Sequence, residues 1–309
     1  MNPPDVTVTD EAPAAAARRV SARSVATWTV TLAVAVVVAV VANHHAHEIL
    51  ETLRHVSVWP VAGAAALHAA TLALRSEAWR IGLRALGAGA LPLPAIHRAN
   101  GVAFLVGTVQ GELSLPARVA ALRRAEPQRA PSAVQMAMVD APLALVELAC
   151  LFAFTALWRP EMLLGMAVIA AALPSVARRV APRRPPDSPL RGLLVAADAA
   201  ALRRLVVVMA AVVLLSAARV WLILLAFHLP IDVASVAKVI AAVTVIGALP
   251  VGLGTGPAAT IASLSSGGAA LTTDGIAMSA GLAISATSVL GVLAYATLTW
   301  GPVALARLR

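Results

Sequence analysis

Apolar stretches of about 20 residues recur along this chain of 309 residues, and they restrict its possible folds more than any other feature. A helix needs about 20 apolar residues to cross the hydrocarbon core of a bilayer. Hydrophobic residues make up 60% of the chain and charged residues only 13%, which leaves too little polar surface to cover a water-soluble domain. We therefore predict an all-α, polytopic membrane protein.

Six of these stretches predict transmembrane helices, and Pro174 is a possible break in the fourth. They cover residues 25–43, 57–74, 133–157, 161–177, 205–228 and 277–304. The first stretch ends without a small-residue cleavage site, so it is interpreted as a retained span rather than a signal peptide. Residues 1–24 are polar and rich in Pro and Ala, which predicts a disordered tail before a single membrane domain, 25–309.

Two further apolar stretches, 99–115 and 236–268, contain several glycines or prolines. Both flanks of the first are rich in arginine, and basic loops lie on the cytoplasmic side of a membrane. That stretch is therefore predicted to enter the bilayer and return to the same face, and the second to do so from the opposite face. The alternative is two ordinary spans, which would place the arginines of 116–132 on the outer side.

The distribution of basic residues also predicts the orientation of the chain. Arginines cluster before the first span, in the loop 178–204 and at the C-terminus, whereas Arg54, Arg159 and Lys238 alone fall on the other side. The N- and C-termini are therefore predicted to be cytoplasmic. Each half, 25–158 and 161–306, then contains three spans and one re-entrant hairpin, in inverted orientation. Interrupted segments at matching positions of two inverted halves are typical of transporters.

Ionisable residues inside predicted spans indicate function, because each costs about 2.5–3.5 kcal/mol to insert. Glu112, Asp140, Glu147 and Arg219 are such residues. Asp140 and Glu147 are seven apart and share one helix face. Glu147 and Arg219 each follow the predicted start of a span by 14 residues, so we expect them at equal depth and predict that they form a pair. This pair could bind a lipid headgroup, move protons or be purely structural.

Arg118 and Arg123 follow the first predicted hairpin. An arginine at the rim of a cavity can hold a phosphate through two hydrogen bonds. The same side chains can equally act as anchors that extend to anionic headgroups at the membrane surface. Both interpretations stay open for Arg118, and anchoring is favoured for Arg123.

Several other functions are disfavoured by the sequence. Few aromatic residues accompany the basic ones, which argues against nucleic-acid binding. Gly252-Leu253-Gly254-Thr255-Gly256 resembles a dinucleotide loop, but Pro257 follows it and no βαβ unit surrounds it, so no cofactor is predicted. His44, His45 and His47 are interpreted as an interfacial loop rather than a metal site. No nucleophile, base and metal set converges, so an enzyme is not predicted.

Three motifs resemble the lysylphosphatidylglycerol synthase transmembrane family of flippase-like proteins. They are Ser76-Glu77-Ala78-Trp79-Arg80, Leu115-Pro116-Ala117-Arg118 with Arg123, and Leu249-Pro250-Val251-Gly252-Leu253-Gly254. The resemblance covers about residue 25 to the end. It implies roles in lipid binding for Arg118, Arg123, Asp140, Pro250, Gly252 and Gly254.

The chain also departs from the family pattern. Ala120-Ala121 stands where the family has Gly-Glu, Pro257-Ala258-Ala259 lacks the expected acidic residue, and Asp140-Ala141 replaces a Glu-Arg pair. The sequence ends at Arg309 without the aminoacyl-transferase domain of the family's synthases. The resemblance thus implies a phospholipid flippase or transporter of the bacterial cytoplasmic membrane. The alternative is a non-catalytic scaffold that recruits an envelope-synthesis enzyme; the oligomeric state is left open.

Overall fold

The computed structural model describes residues 36, 40, 43, 44, 46–89, 91–157, 159–185, 188–229, 233–247 and 274–307. These residues form helices joined by short turns, and none of them lies in a β-strand. The ten α-helices of this part are α1 (Ala46–His55), α2 (Val58–Ala85), α3 (Leu93–Val109), α4 (Ser114–Ala125), α5 (Ala133–Thr155), α6 (Met162–Val180), α7 (Leu194–Ala197), α8 (Ala199–Ala226), α9 (Val233–Gly247) and α10 (Asp274–Arg307). The predicted all-α class is confirmed for these residues.

Four of the helical segments are long and apolar enough to cross a membrane, with mean hydropathies of 1.5 to 2.4. They are Ala133–Thr155, Met162–Arg183, Ala199–Ala226 and Met278–Gly301. A fifth span is possible if α1 and α2, which meet at a bend of 92°, count as one. This is the composition of a multi-pass membrane protein. The described residues therefore supply four or five of the six predicted spans, and most of the predicted span 25–43 lies outside them.

Helix α2 extends beyond the predicted span 57–74 and ends at Ala85. Its end is a glycine cap: Gly87 has a φ of 91°, and the N–H groups of Gly87 and Ala88 donate to the carbonyls of Arg84 and Leu83. Only glycine adopts this left-handed conformation at little cost. Residues 75–85, which lie beyond the predicted span, are thus helical.

Helices α3 and α4 pack side by side and are joined at Gln110 and a 3₁₀ turn, Gly111–Leu113. At the turn an added Cβ on Gly107 would lie 3.2 Å from the Cβ of Ser114, so the two arms approach closely there. The first interrupted stretch is thus a helical hairpin over residues 93–125, longer than the predicted 99–115. Its re-entry into a membrane stays a prediction.

Polar caps start two of the spanning helices. Ser132 and Gln135 form a capping box at the start of α5, and the Asp198 carboxylate accepts from the N–H of Ala200 at the start of α8. These caps satisfy N–H groups that have no partner inside the helix. Helix α8 therefore begins six residues before the predicted span 205–228. Pro174 does not break α6, which continues to Val180.

The predicted cytoplasmic loop 178–204 is largely ordered and packed. It contains the end of α6, the 3₁₀ helices Ala181–Arg183 and Pro189–Leu193, and α7. Val195 and Ala196 are buried, and an added Cβ on Gly192 would lie 2.6 Å from the backbone of Met138 on α5. The segment is therefore part of the helical core on the side of α5 and α8.

Helix α9 covers only the first part of the second predicted hairpin, 236–268. It packs against α8, and Val236 and Val239 are buried in the core that these helices share with α10. Residues 248–273, including Pro250, Gly252 and Gly254, lie outside the described residues. The predicted outer hairpin and the inverted repeat are therefore not tested at this end.

Candidate functional site

A row of ionisable side chains runs between α2, α5 and α8, in the interior of an otherwise apolar helical protein. On α2 it contains His68 and Arg75, and on α5 it contains Asp140 and Glu147. In each helix the two residues are seven apart and therefore lie on one face, two turns from each other. Arg75 contacts Glu147 and, seven residues further along α2, Gly82 contacts Val139, so α2 and α5 run in opposite directions here.

Arg75 and Glu147 form an ion pair at the centre of this row, through Nη2 and Oε1. The Arg75 side chain is 39% exposed and that of Glu147 is 18% exposed. Both residues line two separate cavities, one on each side of the pair. The ion pair therefore stands where the two cavities adjoin.

The first cavity, here called the Arg118 cavity, has a volume of about 230 Å³. Its polar lining includes Arg75, Trp79, Asn100, Arg118, Asp140 and Glu147. Arg118 Nη1 lies 2.9 Å from Oδ1 and 3.1 Å from Oδ2 of Asp140. Its guanidinium carbon also lies 5.1 Å from the centre of the Trp79 ring, within the range of a cation–π contact.

The second cavity, here called the Arg219 cavity, has a volume of about 420 Å³. Its polar lining includes Thr71, Arg75, Glu147, Ser216, Arg219 and Ser288, and His68 also reaches it. Ile240 and Val243 of α9 and Ile284 of α10 contribute apolar wall. Helices on opposite sides of the core thus close the two cavities: the α3–α4 hairpin at Arg118, and α9 with α10 at Arg219.

Arg219 is held by neutral acceptors. Its guanidinium contacts His68 Nδ1 at 2.9 Å, Thr287 Oγ1 at 3.0 Å and Ser288 Oγ at 2.6 Å, and it also donates to the carbonyl of Ile284. Arginine has no acceptor atom, so Nδ1 of His68 must accept and the imidazole must be neutral with its proton on Nε2. His68 is thus held in one tautomer by Arg219.

The predicted pair between Glu147 and Arg219 is wrong. Glu147 pairs with Arg75, and no carboxylate of the described residues lies within 4.0 Å of Arg219. Helix α8 begins earlier than predicted, so Arg219 follows its start by 20 residues, whereas Glu147 follows the start of α5 by 14. On α2, Arg75 at Glu147 and His68 at Arg219 are seven residues apart, so the two side chains differ in depth by about 10 Å. Both still face the Arg219 cavity.

The other predicted site residues are distributed unevenly. Arg118 and Asp140 meet in the Arg118 cavity, whereas Arg123 is exposed on the last turn of α4 and lines neither cavity. Glu112 lies in the turn between α3 and α4. Arg75 and Trp79, which lie beyond the predicted span 57–74, were not among the predicted site residues. Their spacing of seven and eleven from His68 is the signal that would have placed all three on one face.

Tyr295 ties the hairpin to the rest of the core. Its hydroxyl lies 2.6 Å from Ser76 Oγ on α2 and 2.7 Å from His97 Nδ1 on α3, and its ring meets Phe104 edge-on. On the same stretch of α3, Gly101 allows close approach of Thr299 on α10, and Trp300 Nε1 donates to the carbonyl of Arg98. The α3 arm is therefore fixed against α10 beside the Arg118 cavity.

Comparison with known proteins does not assign the chain to a family. No protein-family model matches this chain, and neither curated proteins nor solved structures show significant similarity to it. The described residues contain no group of three or more His, Cys, Asp and Glu side chains that could hold a metal ion. Function must therefore be inferred from the cavities and their charges.

Proposed function

We propose that this membrane protein moves the polar headgroup of a lipid through its helical core, as a flippase-like transporter, while the acyl chains stay in the bilayer. One observation carries the proposal: two cavities with charged linings adjoin at the Arg75–Glu147 pair inside an apolar helical protein. Charged side chains buried within membrane segments are costly and usually mark the path of a polar substrate.

The charges that line the two cavities suit a headgroup better than a single ion. Arg118, Asp140, Arg75, Glu147 and Arg219 alternate in sign over several helical turns, so phosphate and amine or hydroxyl groups can exchange partners along the row. Such alternation lets a ligand replace one protein ion pair by another without leaving a buried charge unpaired. The Arg75–Glu147 pair is the point at which a headgroup would pass from one cavity to the other.

The resemblance to the lysylphosphatidylglycerol synthase transmembrane family agrees with this proposal at Arg118 and Trp79, which belong to its motifs and line the Arg118 cavity. It is part of the proposal that the chain is a bacterial relative of that family, in the cytoplasmic membrane with both termini inside. Pro250, Gly252 and Gly254, which also belong to its motifs, lie outside the described residues.

The test is a leaflet-accessibility assay in vesicles of phosphatidylethanolamine and phosphatidylglycerol that carry fluorescent phospholipid. Ser216→Trp fills the Arg219 cavity, whereas Leu214→Trp is its matched control, since Leu214 lies on the same helix and is 58% exposed. We expect wild type and Leu214→Trp to translocate the probe and Ser216→Trp and Arg118→Ala to lose most of that rate. Equal rates in wild type and Ser216→Trp would refute a path through the Arg219 cavity, and no rate above protein-free vesicles would refute transport.

A scaffold that binds an envelope-synthesis enzyme is the second candidate. It is favoured by the fact that both cavity carboxylates, Asp140 and Glu147, are already paired within the protein, as in a purely structural ion-pair network. A scaffold predicts no translocation together with a partner that co-purifies in stoichiometric amount. Ser216→Trp should leave that partner bound.

A further inference from the structure

Three buried side-chain N–H groups of the described residues have no hydrogen-bond partner, and all three belong to residues that line the two cavities. They are Trp79 Nε1, Arg118 Nε and Arg219 Nε. A buried donor without an acceptor costs about 1–3 kcal/mol. Because every one of these orphaned groups is a donor, the cavities suit a ligand that is rich in acceptors.

The net charge of the lining points the same way. Of the three arginines that line the cavities, Arg75 and Arg118 each face a carboxylate, whereas Arg219 contacts only neutral atoms of His68 and α10. Arg219 therefore has no carboxylate of the described residues within 4.0 Å, and the one carboxylate that lines its cavity, Glu147, is paired with Arg75. A charge left alone in a poorly solvated interior is strongly destabilising, and an anion beside it removes most of that cost.

The space beside Arg219 fits an anionic group of moderate size. The cavity of about 420 Å³ reaches from the Arg219 guanidinium to the Arg75–Glu147 pair. A carboxylate or a phosphate could pair with a guanidinium, but tetrahedral phosphate offers more acceptors to the Nε and Nη groups and to nearby hydroxyls. Glu147 at the opposite wall disfavours a second negative charge, so a monoanion is preferred to a dianion.

We propose that the Arg219 cavity is a binding site for a phosphate monoanion, with Arg219 as its anchor and its counter-charge. The phosphate belongs either to a lipid headgroup or to a free phosphate, and the experiment separates these sources. The phosphate is the chemical group that the proposed transport would carry, and in that sense the site rests on the proposed function. Binding to the site is measured without translocation. Binding can therefore be found where transport is absent, and transport can be found where binding at this site is absent.

The experiment is thermal unfolding of the full chain in neutral, lipid-free detergent with three additions. These are phosphatidylglycerol, diacylglycerol as the same lipid without phosphate, and inorganic phosphate against chloride at equal ionic strength. A ligand about a hundredfold above its Kd should raise the midpoint of wild type by roughly 5 °C. Arg219→Gln should lose this shift. Arg159→Gln should keep it, because Arg159 is 64% exposed, lies between α5 and α6 and lines neither cavity.

The outcomes decide the proposal as follows. A shift with phosphatidylglycerol alone assigns the phosphate to a lipid, and a shift with inorganic phosphate as well assigns it to a free anion or to both. Equal shifts in Arg219→Gln and wild type, equal shifts with diacylglycerol, or no shift with either phosphate source would overturn the site.

A second measurement needs no variant, in case Arg219→Gln does not fold. Phenylglyoxal modifies accessible arginines, and peptide mass spectrometry follows each one separately in wild-type protein. Bound phosphatidylglycerol or phosphate should slow modification of Arg219 severalfold and leave the rate at Arg159 unchanged. An unchanged rate at Arg219 under both additions would contradict the proposal.

Discussion

The two cavities are each built around an arginine, yet the two arginines are stabilised in different ways. Arg118 lies between the Trp79 ring and both oxygens of the Asp140 carboxylate, and its side chain is only 14% exposed. Arg219 has a neutral imidazole and three oxygens of α10 around it, and no carboxylate of the described residues within 4.0 Å. The Arg118 cavity is thus neutral within the protein, whereas the Arg219 cavity is complete only with an added anion.

This difference separates structural charge from functional charge. A buried ion pair contributes little net stability but is costly to break from one side. A buried charge without a partner contributes no stability at all, so its presence is better explained by a ligand than by folding. The two arginines should therefore respond in opposite ways to substitution and to lipid.

The largest effect is expected for Asp140→Asn, which leaves the Arg118 charge unpaired beside Trp79. We expect a loss of about 2 kcal/mol in the free energy of unfolding, less than for a fully buried pair because Asp140 is 37% exposed. Reversible unfolding in mixed micelles measures it. The double variant Arg118→Met with Asp140→Asn should recover most of the loss, because no lone charge remains. A loss equal to that of the single variant would show that the pair is not the cause.

A smaller effect is expected for Glu147→Gln, which breaks the central pair but leaves Arg75 partly solvated. The exposure of Arg75, 39%, predicts a loss of about 1 kcal/mol in the free energy of unfolding. The matched control is Glu161→Gln, which removes the exposed pair with Arg159 and should cost less than about 0.5 kcal/mol. If both variants cost the same, the pair between the cavities is no different from a surface pair.

The sequence predicts the apolar framework of the protein well. The spans that correspond to α5, α6, α8 and α10 follow directly from the length of their apolar stretches, because membrane helices must be long and apolar. The turn between α3 and α4 lies within the stretch 99–115, which was predicted to turn back on itself. These features depend on local composition, which a single sequence contains.

The pairing of the charges could not be predicted so well. Arg203 and Arg204 belong to the predicted loop 178–204, but they lie exposed on the first turns of α8. Arg75 likewise lies beyond the predicted span 57–74, but it is part of α2. A charged residue at the end of an apolar stretch is equally compatible with a loop and with a solvated turn of helix. That ambiguity shifted the estimated depth of Arg219 by six residues and gave Glu147 the wrong partner. Partners depend on helix register, which hydropathy does not determine.

The smallest effect, and the sharpest test of the comparison, is expected for Arg219→Met in lipid-free detergent. The hydroxyls that Arg219 contacts keep partners without it, since Thr287 and Ser288 also donate to carbonyls of their own helix. Removing the guanidinium also removes an uncompensated charge. The free energy of unfolding should therefore change by no more than about 1 kcal/mol. Arg118→Met, in contrast, should lower it by about 2 kcal/mol, because the Asp140 carboxylate is left without its partner.

The same pair of variants behaves differently when phosphatidylglycerol is added. Wild type and Arg118→Met should both gain stability through the intact Arg219 cavity, whereas Arg219→Met should gain none, so the gap between wild type and Arg219→Met opens only with lipid. If Arg219→Met instead costs as much as Arg118→Met without lipid, Arg219 is a structural residue that its neutral acceptors stabilise. Arg118 and Arg219 would then be alike as structural residues, and the case for an anion at Arg219 would lose its physical basis.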